Sequence, residues 1–299
     1  MTIALLGVPT NSSGTKDGVA RAPRALREAG LALRLGRAGL LVDLGDTHAD
    51  EPSPARGSDG VIDAGNLAVT LARVRAQVAD ALRQGHRLVV VGGDCPILIG
   101  ALAGCADVSG TLPGLLFVDG HEDAWSPHAS TTGEAADMEL GWLLGRSTDG
   151  VKAALRAQIP RLDPVRVAVL GARDRKELDD AGVASLVGVV SLLDDTAVRA
   201  DPSGAALAAV RRVALGPDWW LHVDLDVLSS DALPAVDYPQ DGGLSWSDLA
   251  TLTGSALAAG GCLGATVTIF NPDLDPDGRY ARAVVEFIGG LADGLEARA

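Results

Sequence analysis

"LLFVDGHEDAW" (115–125) starts as an apolar run into Val118 and then meets Asp119, His121 and Asp123. A short, continuously apolar run suits a strand covered on both faces, as in parallel sheets. In an extended chain, side chains at i, i+2 and i+4 point the same way. The spacing therefore predicts that Asp119, His121 and Asp123 converge at the carboxyl end of a buried strand. In open α/β sheets that end is where ligands bind.

Six further runs read as strands: "IALLGV" (3–8), "LLVDLG" (40–45), "RLVVVGG" (87–93), "RVAVLGA" (166–172), "WWLHVDLDV" (219–227) and "ATVTIF" (265–270). Helix-like segments lie between or beyond them, at 21–39, 66–85, 247–261 and 279–298. This alternation predicts an α/β fold, a three-layer, doubly wound, mostly parallel sheet. No repeat or low-complexity linker interrupts the chain, so a single domain over 1–299 is expected. The polar stretches 47–60 and 126–137 read as loops, and the second directly follows the opening motif.

Composition narrows the function. The chain is 47% hydrophobic but only 3% aromatic, so an Ala/Val/Leu core is expected. A net charge of −14 repels nucleic acid and anionic membrane. No apolar run reaches the ~18–20 residues of a membrane span. "MTIALLGVPTNSSG" has no basic leader and reads as a first strand. Cys95, Cys105 and Cys262 are too few and too widely spaced for a disulfide framework or zinc ribbon. These features predict a cytoplasmic protein with a small-molecule substrate.

"HVDLDV" (222–227) repeats the pattern of the opening stretch, with Asp224 and Asp226 on one side of a second strand end. Four carboxylates brought together cannot all stay ionised without a cation. Carboxylates with an imidazole suit Mn, Fe or Zn. Two such ions would let carboxylates bridge and would generate a hydroxide between them. In "VVVGGDCPILIGAL" (89–102), a strand ends at Gly92-Gly93, Asp94 makes the turn and a helix starts near Cys95-Pro96. Cys95 is thereby expected beside a helix N-terminus, whose dipole favours thiolate. It could be a metal ligand, a nucleophile with a nearby His as base, or a small buried cap. Cys105 and Cys262 read as packing residues.

These motifs, in this order, resemble the ureohydrolases, the family of arginase, agmatinase and formimidoylglutamase. "GVARAPRALREAG" is similar to the family's first helix, "GGDCPILIG" to its G-G-D-H-S motif and "VDGHEDAWSP" to D-A-H-x-D. "HVDLDVLSSDALPAVDYPQDGGLS" is similar to its D-x-D segment and "TIFNPDLDP" to its late E-x-N-P stretch. The resemblance covers nearly the whole chain and implies an arginase-like fold holding two Mn ions. Asp119 and Asp224 would bridge them, Asp123 and Cys95 would complete one site, and His121 and Asp226 the other. A metal-bridging hydroxide, oriented by Asp123, would attack the amidine carbon. A homo-oligomer is the expected assembly.

The departures from the pattern bear on substrate. Cys95 replaces a metal-binding His, and a thiolate suits Zn or Fe(II) better than Mn. Trp125 stands where arginase has an Asn, Ala136 near its proton-shuttling His, and Ile269 in place of an acid that grips the guanidinium. Glu134 or Asp137 is the candidate replacement for the acid, and His128 for the shuttle. The expected activity is hydrolysis of a C–N bond in a linear amidine, whether guanidino, N-hydroxyguanidino or formimino. The alternatives are a binding or regulatory homologue with reduced catalysis and an enzyme using Cys95 as nucleophile.

Overall fold

The computed structural model describes residues 2–37, 39–216 and 218–296. Its strands are β1 (Thr2–Val8), β2 (Leu40–Asp46), β3 (Arg87–Gly92), β4 (Gly114–Val118), β5 (Val167–Ala172), β6 (Ser191–Asp194), β7 (Trp219–Asp224) and β8 (Cys262–Thr268). They form one eight-stranded sheet in the order β2-β1-β3-β8-β7-β4-β5-β6. Every pairing is parallel. Every residue of β3, β4, β5 and β7 except Arg87 is buried, as expected of strands covered on both faces.

Two apolar layers cover the sheet. One face packs against α1 (Ala22–Glu28), α2 (Leu31–Leu35) and the helices Pro202–Val213, Trp246–Leu257 and Arg279–Glu296. The other packs against α3 (Ala64–Arg83), α4 (Ile97–Ser109) and α5 (Glu139–Leu143). α3 and α4 lie unusually close because Gly100 and Gly104 face α3. A Cβ on either would stand 2.8 Å from the Leu71 carbonyl oxygen or 2.6 Å from that of Arg75.

The structure departs from the sequence reading at the margins. The single helix expected at 21–39 is broken at Gly30, whose φ of 97° no helix accommodates. β2 is an exposed edge rather than a covered strand, with Leu40 74% exposed. Its Asp43 and Asp46 instead pair with Arg27 of α1, and charge on an edge strand blunts edge-to-edge pairing. β6, the opposite edge, is four residues long and only partly buried, too short to give a periodic signal. Among the described residues no helix is long and apolar enough to cross a membrane.

Candidate functional site

Four neighbouring strands at the centre of the sheet, β3, β8, β7 and β4, deliver the site from their carboxyl ends. Cys95 follows β3, Asp119 follows β4, Asp224 ends β7, and Thr268 ends β8 with Ile269 next. Asp119 belongs to three groups whose ligand-type atoms all lie within 4.8 Å of one another. These are Asp119, His121 and Asp123; Asp119, Asp224 and Asp226; and Cys95, Asp119, Glu139 and His222. The six expected metal-type residues therefore converge.

The cause of the convergence differs from the strand alternation expected. β4 stops at Val118, and the chain then turns, with Asp123 at a left-handed φ of 42°. Asp119 Oδ1 accepts from the His121 amide at 2.7 Å. Asp224 Oδ1 accepts from the Asp226 amide at 2.7 Å, and a 3₁₀ turn follows over Leu225–Val227. Each D-x-[HD] motif is thus a turn closed by an aspartate on the amide two residues on, the local bond that aspartate favours. Gly120 lets the two turns meet, because its amide donates to Asp226 Oδ1 at 3.1 Å.

Crowding sets the electrostatics. Asp119 is raised to about 6 by burial and by Asp226. Burial, then Asp119 and Glu139, raise Asp123 well above the usual carboxylate range. Burial, then Asp226 and Asp119, do the same for Asp224. Glu139 is raised chiefly by burial, although Asp123 beside it pulls the other way. His121 Nδ1 lies 2.9 Å from Asp226 Oδ2. Burial alone would lower that imidazole and raise that carboxyl. Their mutual attraction prevails, leaving His121 raised and Asp226 lowered.

The thiolate expectation for Cys95 is corrected here. Its thiol donates to Asp224 Oδ2 at 2.7 Å and lies 3.1 Å from Thr268 Oγ1. Burial and the surrounding acids push it well above an ordinary thiol. Desolvation and like charge outweigh a helix dipole worth at most ~2 kcal/mol.

These shifts give a pH dependence of opposite sense to acid unfolding. A carboxyl with a raised folded pKa stabilises the fold while protonated. That contribution fades as pH climbs from the free value of 3.8 through the folded one. His121, also raised, acts in the same direction, and Asp226, lowered, opposes only below the free value. Chelator-treated protein is expected to melt at a higher temperature near pH 5 than near pH 8, with the loss beginning near the free carboxyl value of 3.8 and continuing above 6.5 as His121 adds to it. Excess divalent cation should abolish the decline. A melting temperature that rises over this range in stripped protein would contradict the charge balance described.

Above the cluster lies a cleft of about 260 Å³, bordered by His121, Asp123, Trp125, Glu134, Asp226 and Ile269. Glu134 accepts from the Tyr238 hydroxyl at 3.1 Å and is raised to about 7 by burial and Asp94. Asp137 also borders the cleft and accepts from the Ser130 and Thr132 hydroxyls. His128 does not reach it. It is exposed on the loop and is not among the residues that border the cleft. This corrects the expectation of His128 as a proton shuttle there. Asp123, Tyr238 and Ile269, all with positive φ, border the cleft. Ile269, at φ 68°, is an outlier for a β-branched residue, and strain of this kind gathers at functional sites. A slightly larger cleft of about 280 Å³, by Asn11, Lys16 and Asp63, contains none of the clusters.

Glu139 and His222 escaped the sequence reading. His222 stands two residues before Asp224, so the period-2 argument extended one step back along the strand would have put it on the same face as Asp224. Glu139, at the start of a five-residue helix, carries no such signal.

A parallel sheet with helices on both faces, and an acid-and-histidine cluster at its central carboxyl ends, is the architecture of an α/β protein with a candidate metal centre. The sequence profile of the Arginase family matches residues 1–292, and the chain belongs to that family. The chain is 28% identical to the arginase of Brevibacillus brevis over 97% of both proteins. It is 27% identical to N(omega)-hydroxy-L-arginine amidinohydrolase of Streptomyces lavendulae, over 95% of this chain and 92% of that one. Among solved structures, arginase from Bacillus caldovelox superimposes with a TM-score of 0.83 at 25% identity over 97% of both chains. The protein is accordingly a ureohydrolase-like enzyme, a hydrolase of C–N bonds in amidines. The family is metal-dependent, and the donors present fit a cation. Asp119 Oδ2 and His222 Nε2 are buried with no hydrogen-bond partner, and the carboxyls around them repel one another.

Proposed function

We propose that the enzyme hydrolyses a linear amidine less basic than free arginine, a formimino or N-hydroxyguanidino compound, in the cleft above Asp119. The observation that carries this is the apolar Ile269, which borders the cleft together with Trp125, at the position where the resemblance implies a carboxylate for the guanidinium. Burying that cation unpaired costs several kcal/mol. Glu134 is the acid best placed to compensate. Raised to about 7, it is part neutral and hydrogen-bonds a weakly basic amidine better than it pairs a full cation.

Asp119 and Asp224 would be shared between two Mn ions. His121 and Asp226 would complete one, and Asp123 and Cys95 the other, with Zn or Fe favoured by the sulfur. When bound, the metals supply an activated water and offset the carboxylate charge. Asp123, bordering the cleft, orients that water. Trp125 excludes solvent and packs on the substrate chain. Cys95 as nucleophile fits poorly, since the thiol is 1% exposed and donates to Asp224. The same reading takes residues 1–299 as one domain, working in the cytoplasm as a homo-oligomer and binding neither nucleic acid nor membrane.

The test is a panel of L-arginine, agmatine, N-hydroxy-L-arginine and formiminoglutamate, each assayed with Mn(II), Fe(II) and Zn(II). The hydroxylated or formimino compound should lead. L-arginine turnover with kcat/KM above ~10⁴ M⁻¹s⁻¹, the low end of ordinary enzymes, would overturn the assignment.

A further inference from the structure

Beneath the cleft lie two buried ligand-type side chains to which the resemblance gives no role, Glu139 and, at the head of the D-x-D segment, His222. Glu139 is 0% exposed, and among the described residues its oxygens meet no amide, hydroxyl or cationic donor, only the carboxyl of Asp123. His222 is 0% exposed, and its ring stacks on Phe117 with centroids 4.8 Å apart and planes 24° apart. Buried polar atoms without partners are rare in native proteins and call for a cause.

The histidine's second nitrogen sets its tautomer. His222 Nδ1 lies 2.7 Å from Thr266 Oγ1, and that hydroxyl can donate to the Leu221 carbonyl at 3.4 Å. Thr266 then accepts from Nδ1–H, which leaves Nε2 with its lone pair free. An imidazole held this way by a neighbouring acceptor is the usual arrangement of a metal-binding histidine. Nε2 is the nitrogen without a partner.

We propose, on the metalloenzyme reading above, that Cys95, Glu139, His222 and Asp119 form a closed metal site. Glu139 and His222 take the place of Asp123 beside Cys95. The four ligand atoms lie within 4.8 Å of one another. Around a tetrahedral ion with bonds of 2.0–2.3 Å they would stand about 3.3–3.8 Å apart, inside the 4.8 Å within which they lie here. One sulfur, one nitrogen and two oxygens favour Zn(II), Fe(II) or Co(II) over Mn(II). Binding releases the Cys95 thiol proton to solvent. Four protein ligands leave no open position, so this ion holds Asp119 in place instead of activating water. Water activation falls to the ion on the cleft side, with His121, Asp123, Asp224 and Asp226.

The test strips the protein with chelator and titrates it with Co(II). The wild type should develop a near-ultraviolet thiolate-to-cobalt absorption band, and Cys95→Ser should lose it. Glu139→Gln and His222→Phe should each weaken the affinity read from that band by at least about tenfold. Thermal melts of the stripped variants establish that they fold. X-ray absorption on the zinc-loaded wild type needs no variant and should show one sulfur at ~2.3 Å. Wild-type affinity and an unchanged band in both variants would overturn the inference while leaving the metalloenzyme reading intact. A wild type that takes up no Mn, Co or Zn defeats both.

Discussion

Asp119→Asn is expected to strip the protein of metal and lower kcat/KM by on the order of 10⁴-fold, the scale of losing a central catalytic part. Asp119 is the only residue common to all three ligand-type groups, so its loss damages every candidate ion position. The amide side chain can still accept from the His121 amide, so the turn should survive. It also removes one carboxyl from a group in which Asp226 and Asp119 repel. Chelator-treated Asp119→Asn should therefore melt no lower than chelator-treated wild type. With cation present the order should reverse, since the wild type alone gains stability by binding. Elemental analysis beside the two melts separates loss of metal from loss of fold. Unchanged metal content with full activity would remove Asp119 from the site.

Phe117→Ala is expected to destabilise the metal-free protein by about 3–5 kcal/mol, the range for deleting a buried aromatic ring. Phe117 is fully buried in β4, between β7 and β5, within the core on the α3–α4 face. Its ring also fixes the plane of His222. Phe117→Leu keeps most of the volume and should cost well under half as much. Urea unfolding of both variants reads the difference. A loss below about 1 kcal/mol for Phe117→Ala would mean that the ring is not packed as described.

The central fold was legible because its strands are apolar without interruption. "RLVVVG" and "GLLFV" can hardly be anything but buried, and both became inner strands. The edges were not, because edge strands answer to solvent on one side. "LLVDLGD" carries two aspartates that an arginine of α1 neutralises, a tertiary fact that composition does not contain. Asp119, His121, Asp123, Asp224 and Asp226 were found through an argument about strand alternation that the structure replaces with two aspartate-closed turns. Their convergence holds in either geometry, because a spacing of two brings side chains together. Asp123 at φ 42° and Ile269 at φ 68° show where local preference gave way to the cleft. Cys95 was placed correctly, but its protonation depends first on burial and then on four acids contributed by distant segments. His128 shows the converse. Loop 126–137 does fold over the cleft through Glu134 and Asp137, yet a loop's proximity says nothing of which side chains turn inward.

The place of β8 in the sheet has a consequence for how the chain is made. β8 pairs with β3 on one side and β7 on the other, yet among the described residues it is the last strand along the chain. Until Cys262–Thr268 has left the ribosome, the nascent chain can assemble only two half-sheets, β2-β1-β3 and β7-β4-β5-β6. Each ends in an apolar edge, Leu88–Val91 or Leu221–Val223, with its peptide groups unpaired. Such edges invite pairing with other chains, and late long-range closure is slow. Synthesis thus leaves a window in which the two halves depend on dilution or a chaperone. A chain cut short before β8 keeps both edges open and is expected to aggregate rather than fold to a less active enzyme.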